Sequence, residues 1–330
     1  MRFVLPVVAA LTLLVPGAAL AQSLGGLGDS SSFTMSVSPQ YPAPYGTATL
    51  SFLSNSLSLS NATLTVSVGG KNIYQGSIQP VAVTLGRAGS VTNITATITS
   101  GGTSYSQSLS LQPEDVALVA EPIASVPPLY PGKPSVPLEG SVRVVAVANL
   151  RDAKGAALNP SALSYSWTVD TTQIANSSGI GRNAIMVASP MQYRARTVSV
   201  VVTSQDGTLV GGDSLTLSPV NPAVLIYAND PLLGILFDHA LSNSYAINGA
   251  ESTLYAAPFS FPTTSGAPAL QWFLNGSSAQ TGTVITLRPT GSGQGSASLS
   301  LTASAGQYTT ATANLSLSFG ATAGTNIFGL

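Results

Sequence analysis

Three stretches of the chain alternate apolar and polar residues, break at a glycine-containing turn, and then alternate again. They are residues 94–111 (ITATITSGGTSYSQSLSL), 198–217 (VSVVVTSQDGTLVGGDSLTL) and 297–317 (ASLSLTASAGQYTTATANLSL). Alternation with a period of two sends successive side chains to opposite faces of a strand. The turns at Gly101-Gly102, Asp206-Gly207 and Gly306 fold each stretch back on itself, so each predicts an antiparallel hairpin with one face buried. Recurrence at intervals of about a hundred residues marks repeated domains. A hairpin with one apolar face must cover it with a second layer, so the pattern predicts an all-β chain of tandem β-sandwiches.

Smaller signals set the boundaries. Residues 33–113 form the first domain, opening with FTMSVSPQYPAPYGTATLSFLS and continuing through a hairpin, ATLTVSVGGKNIYQG, that turns at Gly69-Gly70. Residues 114–220 form the second and residues 221–330 the third. Each of these two starts with a short apolar strand followed by proline, at 116–120 before Pro122 and at 224–228 before Pro231. The linkers near Pro113-Glu114 and Pro219 are short, and the second is stiffened by proline. Both tryptophans of the chain fall in matching places, Trp167 in SYSWTVD and Trp272 in LQWFLNG, and Val66 holds that position in the first domain. A tryptophan in the middle of an alternating strand fills the space between two sheets, which is a simpler role than a stacking platform for sugar.

The strand end Trp-x-x-Asn/Asp-Gly, followed by a closing hairpin, resembles the immunoglobulin-like domains of the PKD type found in bacterial surface proteins. Val66 and Thr171 depart from that motif. The run SVRVVAVANL and the stretch NDPLLGIL add a similarity to exported proteins of candidate bacterial phyla. What the resemblance implies is an immunoglobulin-like sandwich fold and a role outside the cytoplasm. It implies no reaction.

The first residues read as a processing signal. Arg2 supplies the positive start, residues 3–15 the apolar stretch, and Ala19-Leu20-Ala21 the cleavage site, so residues 1–21 are expected to be a cleaved signal peptide. The apolar stretch contains Pro6 and is shorter than the roughly 20 residues that a bilayer span needs. Residues 22–32 (QSLGGLGDSSS) are a flexible lead-in. No later segment is long and apolar enough to span a membrane, so the mature chain is expected to be periplasmic, at the cell surface or extracellular.

Charge then narrows the partners. Eleven Lys and Arg stand against twelve Asp and Glu, a net charge of −1, and charged residues make up only 7% of the chain. No basic field exists to attract nucleic acid. A surface built from Ser, Thr, Asn, Gln and Gly repels other copies weakly, which favours self-association. The chain has no cysteine, so the domains must rest on packing without disulfides and cannot build a thiolate metal site.

Few residues offer chemistry. The single histidine, His239, has Asp238 beside it but no nucleophile motif near it, so a surface or interdomain role is expected. Glu114-Asp115 and Glu121 lie at a domain junction and could in principle bind calcium, but no D-x-D-x-D-G loop accompanies them, so a solvated turn is expected there. No catalytic, cofactor-binding or metal-ligating residue is assigned. The loop GSGQG at 291–295 has no helix behind it and cannot cradle a phosphate. Asn-x-Ser/Thr sequences occur at Asn61, Asn93, Asn176, Asn275 and Asn314.

Two segments are candidates for binding. The proline-rich residues 123–137 (IASVPPLYPGKPSVP) form either an extended ribbon offered to a partner or the crossover between the first two strands of the second domain. Residues 231–241 (PLLGILFDHAL) are expected to pack across the junction of the second and third domains, in preference to forming an exposed patch, with moderate helical character over DHALS. The tail from Gly320 carries no sorting motif. The reading is a non-enzymatic exported structural or adhesion protein that contacts protein or glycan at the cell envelope. Its rivals are an accessory component of a pilus or secretion assembly held by β-strand addition, and, less favoured, a glycan-active enzyme.

Overall fold

The computed structural model describes residues 33–290 and 294–320. The signal peptide, the lead-in, most of the 291–295 loop and all of the tail after Gly320 lie outside the described residues. The fold is all-β and divides into two compact units, Met1–Pro113 and Glu114–Leu330, the second holding two separate sandwich cores.

The first unit is built from β1 (Thr34–Ser38), β2 (Thr47–Leu53), β3 (Thr63–Val68), β4 (Lys71–Ser77), β5 (Val81–Thr84), β6 (Thr92–Ser100) and β7 (Thr103–Leu111). One sheet runs β1-β2-β5 and the other β4-β3-β6-β7. Alternate residues of both sheets, among them Leu50, Leu64, Val66, Ile94 and Ile98, are fully buried between them. On the outer face, the opposite set of side chains forms a hydroxyl ladder, Thr95 with Ser108, Thr97 with Ser106 and Thr99 with Ser104, at 2.7–3.0 Å. Such cross-strand pairs satisfy their own hydrogen bonds without charge.

The second sandwich repeats the plan with β8 (Asp115–Pro122), β9 (Ser141–Asn149), β10 (Ser164–Val169), β11 (Thr172–Gln173), β12 (Gly179–Ile180), β13 (Ala184–Ala188), β14 (Arg196–Thr203) and β15 (Val210–Leu217). Its sheets are β13-β9-β8 and β11-β10-β14-β15, with β12 also on β10.

The third sandwich has β16 (Ala223–Asp230), β17 (Gly234–Ile235), β18 (Asn243–Ile247), β19 (Ser252–Phe259), β20 (Ala269–Leu274), β21 (Ser277–Thr281), β22 (Val284–Leu287), β23 (Gly295–Ala305) and β24 (Thr309–Phe319). Its sheets are β17-β16-β19-β22 and β18-β24-β23-β20-β21. Leaving aside the short additions β12, β17 and β18, all three sandwiches share one topology. The first, second and fifth strands form one layer, and the third, fourth, sixth and seventh form the other. This is an immunoglobulin-like sandwich whose fourth strand sits beside the third.

The motif at the end of the third strand has a physical basis. Gly69, Asp170 and Asn275 all adopt left-handed backbone, with φ of 56°, 55° and 49°. Each donates its N–H to the sixth strand, to Asn93, Thr197 and Ser298 carbonyls respectively. Asp170 and Asn275 add a side-chain oxygen that accepts from Thr197 N and Ser298 N at 3.0 and 2.9 Å, an anchor that Gly69 lacks. Gly70 and Gly276 follow with positive φ and permit the two-residue turn into a full fourth strand. Thr171 does not adopt positive φ, and the fourth strand of the second sandwich is the two-residue β11.

Trp167 and Trp272 are fully buried between the sheets. Their indole N–H groups donate to the carbonyls of Arg182 (2.8 Å) and Gly282 (2.9 Å), in the segment between the third and fifth strands. The rings therefore fill the core and tie down a connection, and neither is exposed for sugar to stack upon. Replacing Trp272 with Ala is expected to lower stability by about 3–5 kcal/mol through the cavity left behind. Chemical denaturation monitored by far-UV circular dichroism measures this loss, and a change under about 1 kcal/mol would contradict the core role.

Candidate functional site

The proline-rich ribbon, residues 123–137, is the crossover between β8 and β9, and it also carries the junction between the second and third sandwiches. Prolines deny it a ladder of its own, so its remaining donors and acceptors are free to pair elsewhere. Ser125 N donates to the Phe261 carbonyl (2.8 Å), Ser260 N to the Ser125 carbonyl (3.0 Å) and Thr263 N to the Ile123 carbonyl (3.2 Å). The Ser125 hydroxyl accepts from Phe261 N at 3.1 Å. Tyr130 meets the Phe259 ring edge-on at 5.6 Å. At the end of the ribbon, Gly140 has φ of 97°, and a Cβ there would press on Pro262.

Glu139 completes the junction. Its carboxylate accepts from the backbone N–H of Gln307 (3.0 Å) and Tyr308 (3.0 Å) and from the Thr309 hydroxyl (3.2 Å), all at the β23–β24 turn. Gly306 opens that turn with φ of 66°, and a side chain there would run into the Glu139 carboxylate. Charge-assisted bonds to consecutive N–H groups hold an anion well.

An open groove of about 320 Å³ lies beside the linker, lined by Leu138, Gln192, Tyr193, Arg194, Ser218 and Asn221 among others. Tyr193 projects from the loop between β13 and β14, 92% exposed and with φ of 61°. The Arg194 guanidinium makes no ion pair among the described residues. Gln192 Nε2 reaches Asn221 Oδ1 across the groove at 3.3 Å. An aromatic face, amides and a free cation side by side suit a polar ligand. Sequence reasoning missed this groove because its parts come from separate segments with no shared motif.

Residues 231–241 do not cross the junction. Asp230 Oδ1 accepts from Leu232 N and Leu233 N at 2.8 and 2.9 Å, which holds its carboxyl below the usual range and turns the chain into β17. Phe237 then packs between Tyr227 and Tyr255, at 5.2 and 6.1 Å, on the third sandwich itself. Leu232 and Leu233 stay exposed at the tip. The Asp238–Ser242 segment is turn and bridge rather than helix, because Leu241 N is drawn to the Ile226 carbonyl (2.7 Å). His239 Nδ1 lies 2.8 Å from Asp238 Oδ2 on the open surface, and the contact lowers the Asp238 pKa.

The junction acids are not brought together. Asp115 and Glu121 stand at opposite ends of β8, where Glu121 pairs with Arg143 at 2.7 Å. No group of three or more His, Asp and Glu able to hold a metal ion forms among the described residues. Glu114 is buried instead: Oε2 accepts from Arg151 N at 2.8 Å, while Oε1 has no partner. Burial pushes its pKa from 4.5 to about 7, against the opposing pull of the Arg151 hydrogen bond and charge, and with a small push from Asp115. The five Asn-x-Ser/Thr asparagines are all exposed.

Neither a protein-family model nor a curated protein matches the chain. Several solved structures are similar to it. The three N-terminal domains of the bacteriophage RB49 Highly Immunogenic Outer Capsid protein are 12% identical, covering 88% of this chain and 99% of that one with a TM-score of 0.24. Sidekick-1 immunoglobulin domains 1–5 are 12% identical, covering 89% and 60% with a TM-score of 0.31. The central fibronectin-III array of RIM-binding protein is 8% identical, covering 88% and 96% with a TM-score of 0.28. Likeness at this level carries no argument about function, and the fold rests on the strand pairing itself.

Two outcomes are expected. Glu139→Ala removes the acceptor from the Gln307 and Tyr308 N–H groups and should weaken the junction by about 1–2 kcal/mol, read as faster hydrogen exchange at those two amides. For Glu114, the folded chain keeps a proton that the unfolded chain releases between pH 4.5 and about 7. Stability is therefore fully present below that window, falls by about 3 kcal/mol as pH rises through it, and levels off above. Urea titrations across pH, with Glu114→Gln as the variant that flattens the slope, measure it.

Proposed function

We propose that this chain is an exported, non-catalytic structural and adhesion protein, working at the cell envelope as a spacer that presents a contact surface. The observation that carries the reading is the junction in the second unit, where Glu139 and Ser125 fasten one sandwich to the next by direct hydrogen bonds. A fastened pair keeps a surface loop at a set place, which a flexible linker would not. The signal-like residues 1–21 and a charged fraction of only 7% support a location outside the cytoplasm. The partner is a protein or glycan of the envelope, met at the groove of Tyr193, Arg194 and Asn221, where a ring and a cation stand exposed together.

The test is a pelleting assay of the purified mature chain with isolated envelopes of its own cells. Binding is expected, and Tyr193→Ala with Arg194→Ala is expected to weaken it about tenfold while the melting temperature holds. A chain that stays wholly in the supernatant overturns the envelope role. Undiminished pelleting of the double variant overturns the groove.

A further inference from the structure

The three sandwiches treat the outer rim of their last strand differently. In the third, β18 runs parallel to β24 and occupies that rim from Asn243 beside Leu315 to Ile247 beside Phe319. In the second, β15 lies against β8, and Asp213 on β15 accepts a hydrogen bond from Leu118 N at 2.8 Å, which places a carboxylate there. In the first, β7 pairs with β6 and with no other strand among the described residues.

Exposed rims of this kind are normally blunted by charge, proline, bulges or brevity. Other strands at the margins of these larger sheets show such devices. In the first unit β4 carries Lys71 and meets a bulge between Val66 and Ser67, β21 meets a bulge at Trp272 and Phe273, and β11 is only two residues long. Strand β7, TSYSQSLSL, is nine residues long with no charge and no proline, and its register with β6 is unbroken.

The free groups can be located. Gly101 and Gly102 have φ of 59° and 81°, which makes a two-residue turn that closes on a hydrogen-bonded Ser100–Thr103 pair. Bonded and non-bonded pairs then alternate, so the N–H and C=O groups of Ser104, Ser106, Ser108 and Ser110 point away from β6. The hydroxyls of Ser104, Ser106 and Ser108 are engaged by Thr99, Thr97 and Thr95 on their own sheet. On the other face, Tyr105 and Leu109 are half-buried against the core and would gain cover from a further strand.

We propose that β7 is the self-association edge of the protein, pairing antiparallel with β7 of a second copy about a twofold axis. A twofold axis sets identical strands antiparallel and meets each rim with itself. For β7 that match places uncharged residues opposite uncharged residues, serine face beside serine face and apolar face beside apolar face. Like charges, the usual obstacle to self-pairing, are absent from the strand. The inference is independent of the envelope role, since it concerns the purified chain alone.

Sedimentation equilibrium of the mature full-length chain tests it, with a reversible monomer–dimer equilibrium as the expected result. Ser106→Pro deletes one outward N–H and leaves the bonds to β6 intact, and Ser106→Lys keeps that N–H but sets a positive charge at the rim. Each is expected to weaken dimerisation at least about tenfold, and the lysine variant covers the case in which the proline variant fails to fold. Because the chain has no cysteine, Ser104→Cys, Ser106→Cys and Ser108→Cys each carry a single thiol. At least one should form an interchain disulfide on mild oxidation, whereas Ser316→Cys on the covered strand β24 should not. A chain that remains monomeric at millimolar concentration overturns the proposal. So does a dimer indifferent to the lysine variant, or a β7 rim that takes a strand of another protein and never its own.

Discussion

Facing layers of alternating side chains are what this protein depends on. With no cystine to clamp the sheets, each sandwich holds together by burying one face of every strand against the opposite layer. The same alternation makes the outer faces polar, and here the polar set is mainly hydroxyl rather than charge. In the first sandwich, paired Thr and Ser side chains of β6 and β7 satisfy one another across the strands without charge.

Repetition of one plan makes the differences informative. A tryptophan fills the centre of the second and third cores and reaches a connecting segment with its N–H, while the buried Val66 holds that place in the first. An Asx residue anchors the third strand to the sixth in two sandwiches, and glycine leaves that anchor out in the other. The rims of the seventh strands differ as well, and a rim left open matters more when the surrounding surface is neutral.

The joint within the second unit shows how a segment poor in local structure gains a role. Prolines in residues 123–137 prevent a ladder, so Ser125 is free to bond to residues 260 and 261 of the next sandwich. Glu139, near the end of that crossover, finds its donors in the β23–β24 turn. Residues 231–241, which looked equally suited to bridging the sandwiches, fold back on their own sheet because Phe237 is taken by Tyr227 and Tyr255.

From the sequence alone, the opening strands, the closing hairpins with their turns and buried faces, and the central tryptophans could be read, because periodicity and turn chemistry act over a few residues, whereas short strands such as β17, β18 and β22 could not. The hydroxyl ladder followed from the same alternation once register was known. The tertiary structure alone decided which segments join the sandwiches, where Tyr193 and Arg194 come to face Asn221, and that Glu114 is buried. Those outcomes rest on partners far apart along the chain, 136 residues for Ser125 and Phe261 and 168–170 for Glu139 and its donors, and no local pattern encodes such a meeting. Only folding, by stacking complete sheets, brings these groups within hydrogen-bond reach.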